Sequence, residues 1–419
     1  MTLLADEDLP FDVSKLDRLA EVCIRVGLNL QPGQELLVSG NVQTLPLIRR
    51  ISAEAYRNGA ALVTVMMGDD ELGRMRYLHG SDESFDVAPG WLYEAMAKAY
   101  GSNTARLAIS GEDPMLLSEF EPYKLARVSK ANSMAYKPAS KMITTFATNW
   151  NIVSYPTTGW ARKVFPDLPG REAVSALAEA IFSISRVDGD DPIAAWAEHQ
   201  ETLTARQKWL NNMDFDALHY SAPGTDFTLG LAEGHSWKGG SSKSLNGIIC
   251  TPNIPTEEVF TTPHAHRADG IVRATKPLVH NGTIIKGIQV RFQEGRIVEA
   301  SASQGEEVFL ELIDTDEGAR RLGEVALVPN SSPISSSGIL FFNTLYDENA
   351  SCHIAQGQCY TKCFKGEIGL DEEKVAAAGG NSSNIHVDWM IGSGELDLDG
   401  ITKSGENVPI MRNGEWAYE

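Results

Sequence analysis

The residues best suited to chemistry fall in five short segments of the second half of the chain. In Ile385-His386-Val387-Asp388-Trp389-Met390 a histidine and an aspartate stand two apart. On a strand, positions i and i+2 share a face, so His386 and Asp388 can grip one ion together, with an apolar neighbour turned to a core. A single H-x-D of this kind also arises by chance in many strands. Gly323-Glu324-Val325-Ala326-Leu327-Val328 opens an apolar strand on a carboxylate. Burying that charge unpaired is costly, and either a metal ion or the neighbouring Arg320 or Arg321 would satisfy it. Leu345 to His353 gathers Asp347, Glu348 and His353 into one stretch, after the small polar loop Asn330 to Gly338. Asn253 to Phe260 carries Glu257 and Glu258 side by side. Neighbours on a strand face opposite ways, so one at most looks into a given site, and a solvated edge carboxylate is the competing reading. Tyr360 follows His353 by seven residues. Its phenol is suited to donate a hydrogen bond to a developing oxyanion, or else to be satisfied by backbone.

Other groupings compete. His264 and His266, with Asp269, form a same-face pair if extended, but Thr261, Thr262, Pro263 and Arg267 around them suggest a strand end or loop. Cys352, Cys359 and Cys363 with His353 lack the paired C-x2-4-C spacing of a structural zinc site. Lys238-Gly239-Gly240-Ser241-Ser242-Lys243-Ser244 hints at a phosphate loop, yet G-x-x-x-x-G-K-[ST] is not met. G-x-G-x-x-G on a strand-to-helix turn, H-E-x-x-H and G-x-S-x-G are all missing, which argues against dinucleotide-binding, zincin and α/β-hydrolase readings.

Taken together, the segments Asn253 to Phe260, Leu322 to Val325, Asn330 to Ser335, Asn343 to Ala350 and Asn384 to Asp388 resemble the aminopeptidase T/aminopeptidase S family of metallo-exopeptidases. Leu30 to Leu37 and Arg57 to Val65 look like the family's opening βαβ unit, so the resemblance spans essentially the whole chain. It implies a co-catalytic pair of divalent ions (zinc, cobalt or magnesium) held by Glu258, Glu324, Glu348, His353, His386 and Asp388, with Tyr360 beside them. It further implies release of N-terminal residues from peptides with broad preference, and a homodimer. An extra serine between Asn330 and Pro333 departs from the family pattern, which bears on the loop and not on the ligands. Four carboxylates and two imidazoles suit two dications, since each carboxylate offsets charge and one can bridge. Asp347 and Glu257 are the spare acids within reach for a substrate α-amine, and the base that takes the water's proton is unassigned. A two-metal hydrolase of another bond, such as a phosphoester, and a peptide-binding protein with a vestigial site are the alternatives.

These residues need elements to hold them. At 419 residues the chain calls for two domains. Leu16 to Val26 has a helical apolar period, Glu35 to Ser39 reads as a strand, Thr44 to Arg57 as a helix ended by Asn58-Gly59, and Ala60 to Met67 as a buried strand. Further strands are expected at Arg106 to Ser110 and Trp150 to Tyr155, and helices at Trp91 to Tyr100, Leu116 to Lys130 and Arg171 to Ile184. Beyond the breaker cluster Val187 to Pro192, Ile193 to Leu210 is helical and polar-faced. After residue 213 the texture turns to short strands, including Ile284 to Phe292, Arg296 to Ala300, Glu324 to Val328 and Ile385 to Trp389. The expected fold class is α/β: an N-terminal open α/β domain, residues 1–200, followed by a β-rich α+β domain, residues 201–419, that holds the metal-competent segments.

Composition narrows the partners. The 36 basic against 56 acidic residues give a net charge of −20, which opposes nucleic acid and anionic membrane surfaces. No apolar run approaches the ~20 residues of a membrane span. Met1 to Phe11, with Asp6, Glu7 and Asp8, lacks the basic and apolar pattern of a signal peptide. The five cysteines are sparse and odd in number, which points to reduced thiols and a cytoplasmic location.

Overall fold

A computed structural model describes residues 8–280, 283–366 and 368–417, so most of the N-terminal segment read above for a leader lies outside the described residues. The chain divides into two compact units, Met1–His199 with Ser241–Pro255, and Gln200–Gly240 with Thr256–Glu419. Architecture is mixed α/β, open and parallel in the first unit and β-rich in the second.

In the first unit α1 (Val13–Val22) runs into a π-helical turn (Cys23–Leu28) ahead of β1 (Glu35–Asn41). Then come α2 (Leu45–Arg57), β2 (Leu62–Gly68), α3 (Asp70–His79), α4 (Gly90–Gly101), β3 (Ala105–Ser110), α5 (Pro122–Thr144), β4 (Trp150–Ser154), α6 (Thr158–Val164), α7 (Gly170–Ile184) and the start of α8 (Pro192–Met213). The sheet is parallel, in the order β2-β1-β3-β4. The helix α2 forms where it does because Pro46 suits its first turn and Leu47, Ile48, Ile51 and Ala55 make one buried stripe. It stops at Asn58-Gly59, where Gly59 takes φ +85.

Three expectations need correction here and in the second unit. Ala60 to Met67 is a strand but not a buried one: β2 is a sheet edge, and Leu62, Val65 and Met67 are exposed. The helix expected at Leu116 to Lys130 starts later, at Pro122, and runs to Thr144, because proline favours the first turn and the residues before it form turns. Ile284 to Phe292 is two strands, broken at Gly287 with φ +63.

The second unit begins in α8 and continues with β5 (Ala217–Ala222), β6 (Thr225–Leu231) and β7 (Lys238–Gly239); the pair β8 (Ser242–Lys243) and β9 (Ile249–Cys250) belongs to the first unit. There follow β10 (Val259–Thr261), β11 (Pro263–Arg273), β12 (Leu278–His280), β13 (Thr283–Ile285), β14 (Gln289–Gln293), β15 (Arg296–Ser301), α9 (Glu306–Ile313), β16 (Leu322–Leu327), α10 (Pro333–Ser337), α11 (Thr344–Asp347), β17 (His353–Gly357), α12 (Glu372–Ala377), β18 (His386–Met390), β19 (Asp397–Ile401), β20 (Asn407–Arg412) and β21 (Glu415–Trp416). Two antiparallel sheets result, ordered β18-β17-β16-β10-β7 and β15-β14-β11-β6-β5-β19-β20-β21. One apolar core draws on both, with Val259, Val325, Leu327, Ile354 and Trp389 from the first and Leu229, Phe227, Val272, Val290 and Leu398 from the second. Strand alternation then decides the other face of the smaller sheet. If Val325 and Leu327, Ile354, and Trp389 point to the core, then Glu324, His353, His386 and Asp388 point away from it together.

Candidate metal centre

Register brings those four side chains into one patch. Glu324 stands opposite Ala355, which stands opposite Asp388, so two carboxylates flank a methyl group across three strands. His353 pairs with Ala326 on one side, and His386 with Gly357. The small residues between them leave the space a shared ligand needs. Gly357 takes φ +105, and a Cβ there would meet the Ile385 carbonyl oxygen at 2.1 Å, so only glycine closes this end of the ladder.

Among the described residues two sets have donor atoms lying within 4.8 Å of one another: Glu258, Glu324 and His353, and Glu324, His386 and Asp388. Glu324 belongs to both. His353 Nε2 lies 3.3 Å from Glu258 Oε2 and 4.0 Å from Asp388 Oδ1, while His386 Nε2 lies 3.3 Å from Glu324 Oε2 and 3.5 Å from Asp388 Oδ1. The other ring nitrogens define the tautomers. Nδ1 of His386 is 2.7 Å from the Gln358 carbonyl oxygen, and Nδ1 of His353 is 3.2 Å from that of Ser351. A carbonyl only accepts, so both Nδ1 atoms carry a proton, and whenever the ring is neutral its Nε2 lone pair faces the carboxylates.

That geometry tests the fit of a metal. A neutral imidazole lone pair and a carboxylate oxygen 3.3 Å apart are two acceptors facing each other, and only a cation between or beside them resolves the repulsion. Glu258 Oε2 is buried and takes no well-directed hydrogen bond from any described group. Without an ion, a proton must serve. Burial opposes charge on His353, yet Glu258, Asp388 and Glu324 push it up to about 10. His386 is likewise driven well up by Asp388 and Glu324 against its burial. Glu324 is raised by burial and by the charges of Asp388 and Glu258, against the hydrogen bond from His386, and Asp388 is held below its usual range by His386 in spite of burial. Imidazole and carboxylate donors, buried and mutually repelling, fit divalent ions.

Glu348 stands outside both compact sets but close to them. Its carboxyl is pushed well up by burial first and then by Glu258 and Asp388. The turn that carries it is tied down from two sides: Ser332 Oγ, which caps α10, donates to the Asn349 carbonyl oxygen at 3.2 Å, and Asn349 Oδ1 accepts from the Glu257 N–H at 2.7 Å. The serine that departs from the family pattern therefore sits in a loop that positions Glu348 and the Glu257-Glu258 pair. Tyr360 packs its ring 4.8 Å from that of His386 and 5.8 Å from Phe260. The residue keeps 39% of its surface exposed. Burial among the site's side chains, with the carboxylates of Glu324 and Asp388, pushes the phenol well above its usual range, so it stays a donor.

Of the two spare acids, Asp347 is tied to backbone. Asp347 accepts the N–H groups of Phe341 and Asn343 at 2.8 and 3.0 Å, and burial, only partly offset by those bonds, moves it up to about 7. Glu257 lies in the field of Arg206. Neither Arg320 nor Arg321 takes up Glu324: Arg320 pairs with Asp314 at 2.6 Å, and Arg321 donates to the carbonyls of Ala265 and Glu294. The histidine and cysteine competitors fall away as well. No grouping of three metal-competent side chains among the described residues includes His264, His266 or a cysteine. His264 Nδ1 instead accepts the His266 N–H at 3.0 Å, and all five cysteines are free and buried, with Cys352 and Cys363 pushed up to about 12 by burial.

Lys362 escapes a sequence reading. Its ammonium lies 5.1 Å from the centre of the Phe260 ring and 5.5 Å from that of Tyr360. Burial lowers its pKa, opposed by Cys363, Glu324 and Glu258. An isolated lysine two residues past a tyrosine carries no motif, and only the fold places it on the aromatic pair.

Over residues 12–416 the chain matches the thermophilic metalloprotease (M29) family. It is 51% identical to aminopeptidase T of Thermus thermophilus, over 96% of this chain and 98% of that one. Aminopeptidase 2 of Geobacillus stearothermophilus is 44% identical, over 97% and 98%. Among solved structures, wild-type AmpT from Thermus thermophilus superposes with a TM-score of 0.92 at 50% identity, covering 96% of this chain and 99% of that one.

Proposed function

The chain belongs to the thermophilic metalloprotease (M29) family, and on that premise we propose that it is a metal-dependent aminopeptidase that removes N-terminal residues from peptides with broad preference, using two divalent ions. The observation that carries the two-ion reading is the pair of three-residue donor sets sharing Glu324. Glu258, Glu324 and His353 would hold one ion and Glu324, His386 and Asp388 the other, with Glu348 completing the set. When bound, such ions supply Lewis-acid polarisation of the scissile carbonyl and acidify the attacking water. The chain's own residues do the rest. Gln358 and Ser351 orient the two imidazoles through their carbonyls. Tyr360, kept protonated, donates to the developing oxyanion, and the ammonium of Lys362 lies over the Tyr360 ring. The mixture of imidazole and carboxylate donors favours zinc or cobalt, and the excess of carboxylates also suits magnesium.

We also propose a cytoplasmic homodimer. Five free thiols suit a reducing compartment. Exposed Leu62, Val65, Met67 and Leu72 on the first unit support self-association. No described helix is long and apolar enough to cross a membrane.

The test is direct. The purified protein is assayed for bound metal and for hydrolysis of leucyl and other aminoacyl chromogenic amides, with and without chelator, beside an N-blocked peptide and a phosphoester. Amide hydrolysis that chelator abolishes and a divalent ion restores is the expected result. Cleavage of the blocked peptide, or activity after complete metal removal, overturns the reading. His386→Ala should lose activity by about a thousandfold or more while its circular dichroism stays that of the wild type.

A further inference from the structure

We propose that the cavity beside Glu348 and Asp388 receives the side chain of the substrate's N-terminal residue, and that Phe342 sets the largest side chain it takes; this rests on the aminopeptidase reading above. The cavity holds about 50 Å³. Glu348 and Asp388 line it beside Asp347, Asn343 and Thr344, and its apolar members are Pro277, Leu278, Val279, Phe342 and Met390. An α-amine and the carbonyl next to it must lie near the metal-competent carboxylates of Glu348 and Asp388, so the side chain on the carbon between them has the cavity's apolar members within reach. Among the described residues no lysine or arginine lines the cavity, so nothing there pairs with an acidic N-terminal residue. Uncharged aliphatic residues are the class it suits.

The walls are built by the same elements that present the donors. On β18, His386, Asp388 and Met390 share a face, so the strand supplies two metal-competent groups and then a deformable thioether wall. The Met390 carbonyl accepts the Thr275 N–H at 2.9 Å, which anchors the segment leading into Pro277–Val279. Phe342 is the unusual member. It holds φ +54, a left-handed conformation that a bulky side chain rarely adopts. The reason is visible on either side of it. The N–H groups of Phe341 and Asn343 both point at the buried Asp347 carboxylate, and the Phe341 ring stacks on Tyr346 with centroids 4.8 Å apart. Its neighbours fix the loop, and Phe342 is turned onto the cavity. Strain held at a pocket wall by surrounding bonds is a mark of a functional position. This also gives Asp347 a job: it is a positioning residue for the wall.

The experiment compares kcat/KM for alanyl, leucyl and tryptophanyl amides in the wild type, Phe342→Ala and Val279→Trp, with metal content measured for each. Phe342→Ala should raise the tryptophanyl-to-leucyl ratio by about tenfold or more, and Val279→Trp should lower the leucyl-to-alanyl ratio by a similar factor. Both variants should carry wild-type metal content. The second variant fills the cavity from a different segment, Pro277–Val279, so the outcome does not depend on the strained loop tolerating alanine. Unchanged ratios at wild-type metal content in both variants overturn the assignment of the cavity while leaving the aminopeptidase reading intact. A wild type that hydrolyses none of the amides overturns both.

Discussion

Glu324 is the one residue that both donor sets need, and a carboxylate on an otherwise apolar, fully buried strand is costly unless an ion or a proton offsets it. Glu324→Gln should therefore lower bound divalent ion below one per chain after dialysis, and kcat/KM for leucyl amide by about a thousandfold or more. His353→Gln, which touches only one set, should retain more metal than Glu324→Gln. Measuring metal content in both variants decides the point: if Glu324→Gln keeps two ions, the shared-ligand reading is wrong. At this scale strand alternation made the acids and imidazoles candidates one segment at a time, and only the family resemblance gathered them into one set. What orients them was not legible in the sequence. The acceptors for the two Nδ1–H groups are backbone carbonyls of Gln358 and Ser351, and a carbonyl leaves no trace in residue type. Asp347 shows the reverse limit. Beside Glu348 it reads as a spare acid for a substrate α-amine, but the loop folds back to cap it with two backbone N–H groups, a tertiary fact that its neighbours do not announce.

Among elements, the strands that carry the site were readable because each alternates or runs apolar between turn residues, as in β16 and β18. Their order was not, since β18-β17-β16-β10 brings segments from residue 259 to 390 side by side through antiparallel pairing that no local pattern specifies. The same limit explains β2. An apolar run looks identical whether it ends up central or at an edge, and only pairing on one side leaves Leu62, Val65 and Met67 in solvent. Asp214 illustrates how elements are then tied together. It follows α8 and is bonded by Lys365, at 2.7 Å, from the segment just past Tyr360 and Lys362, and by Lys403 beyond β19. The hydrogen bonds from Lys365 and Lys403 pull its carboxyl from 3.8 down to about 2. A carboxylate with a depressed folded pKa stabilises the fold above the unfolded value and loses that contribution as pH falls through the folded one. Asp214 is partly exposed, so solvent screening limits the effect to about 1 kcal/mol. Urea unfolding of Asp214→Asn should show that deficit at pH 7 and its shrinkage between about pH 4 and pH 2. A deficit that persists undiminished at pH 2 would mean that packing, not charge, holds this corner.

On the scale of the whole molecule, two features of the surface pull against each other. The net charge of −20 makes copies of the chain repel. Yet β2, an edge strand with one side unpaired, exposes Leu62 by 48%, Val65 by 39% and Met67 by 53%, and the α3 helix directly after it exposes Leu72 by 69%. Single exposed apolar residues need no account, but several along consecutive elements at an open sheet edge are what self-association buries. The helix α3 has no buried residue of its own within the described chain, so its intrinsic packing gives little reason for it to keep Leu72, Met75 and Leu78. If this edge joins two copies, screening the repulsion should strengthen the pair, because the Debye length falls from about 10 Å at 0.1 M salt to about 3 Å at 1 M. The double variant Met67→Glu, Leu72→Glu should then shift the mass measured by light scattering from that of two chains to that of one, about 45.6 kDa, and the shift should be harder to reverse at low salt. A variant that remains dimeric across that range would place the interface elsewhere on the molecule, and the open edge of β2 would need another protector against indiscriminate pairing.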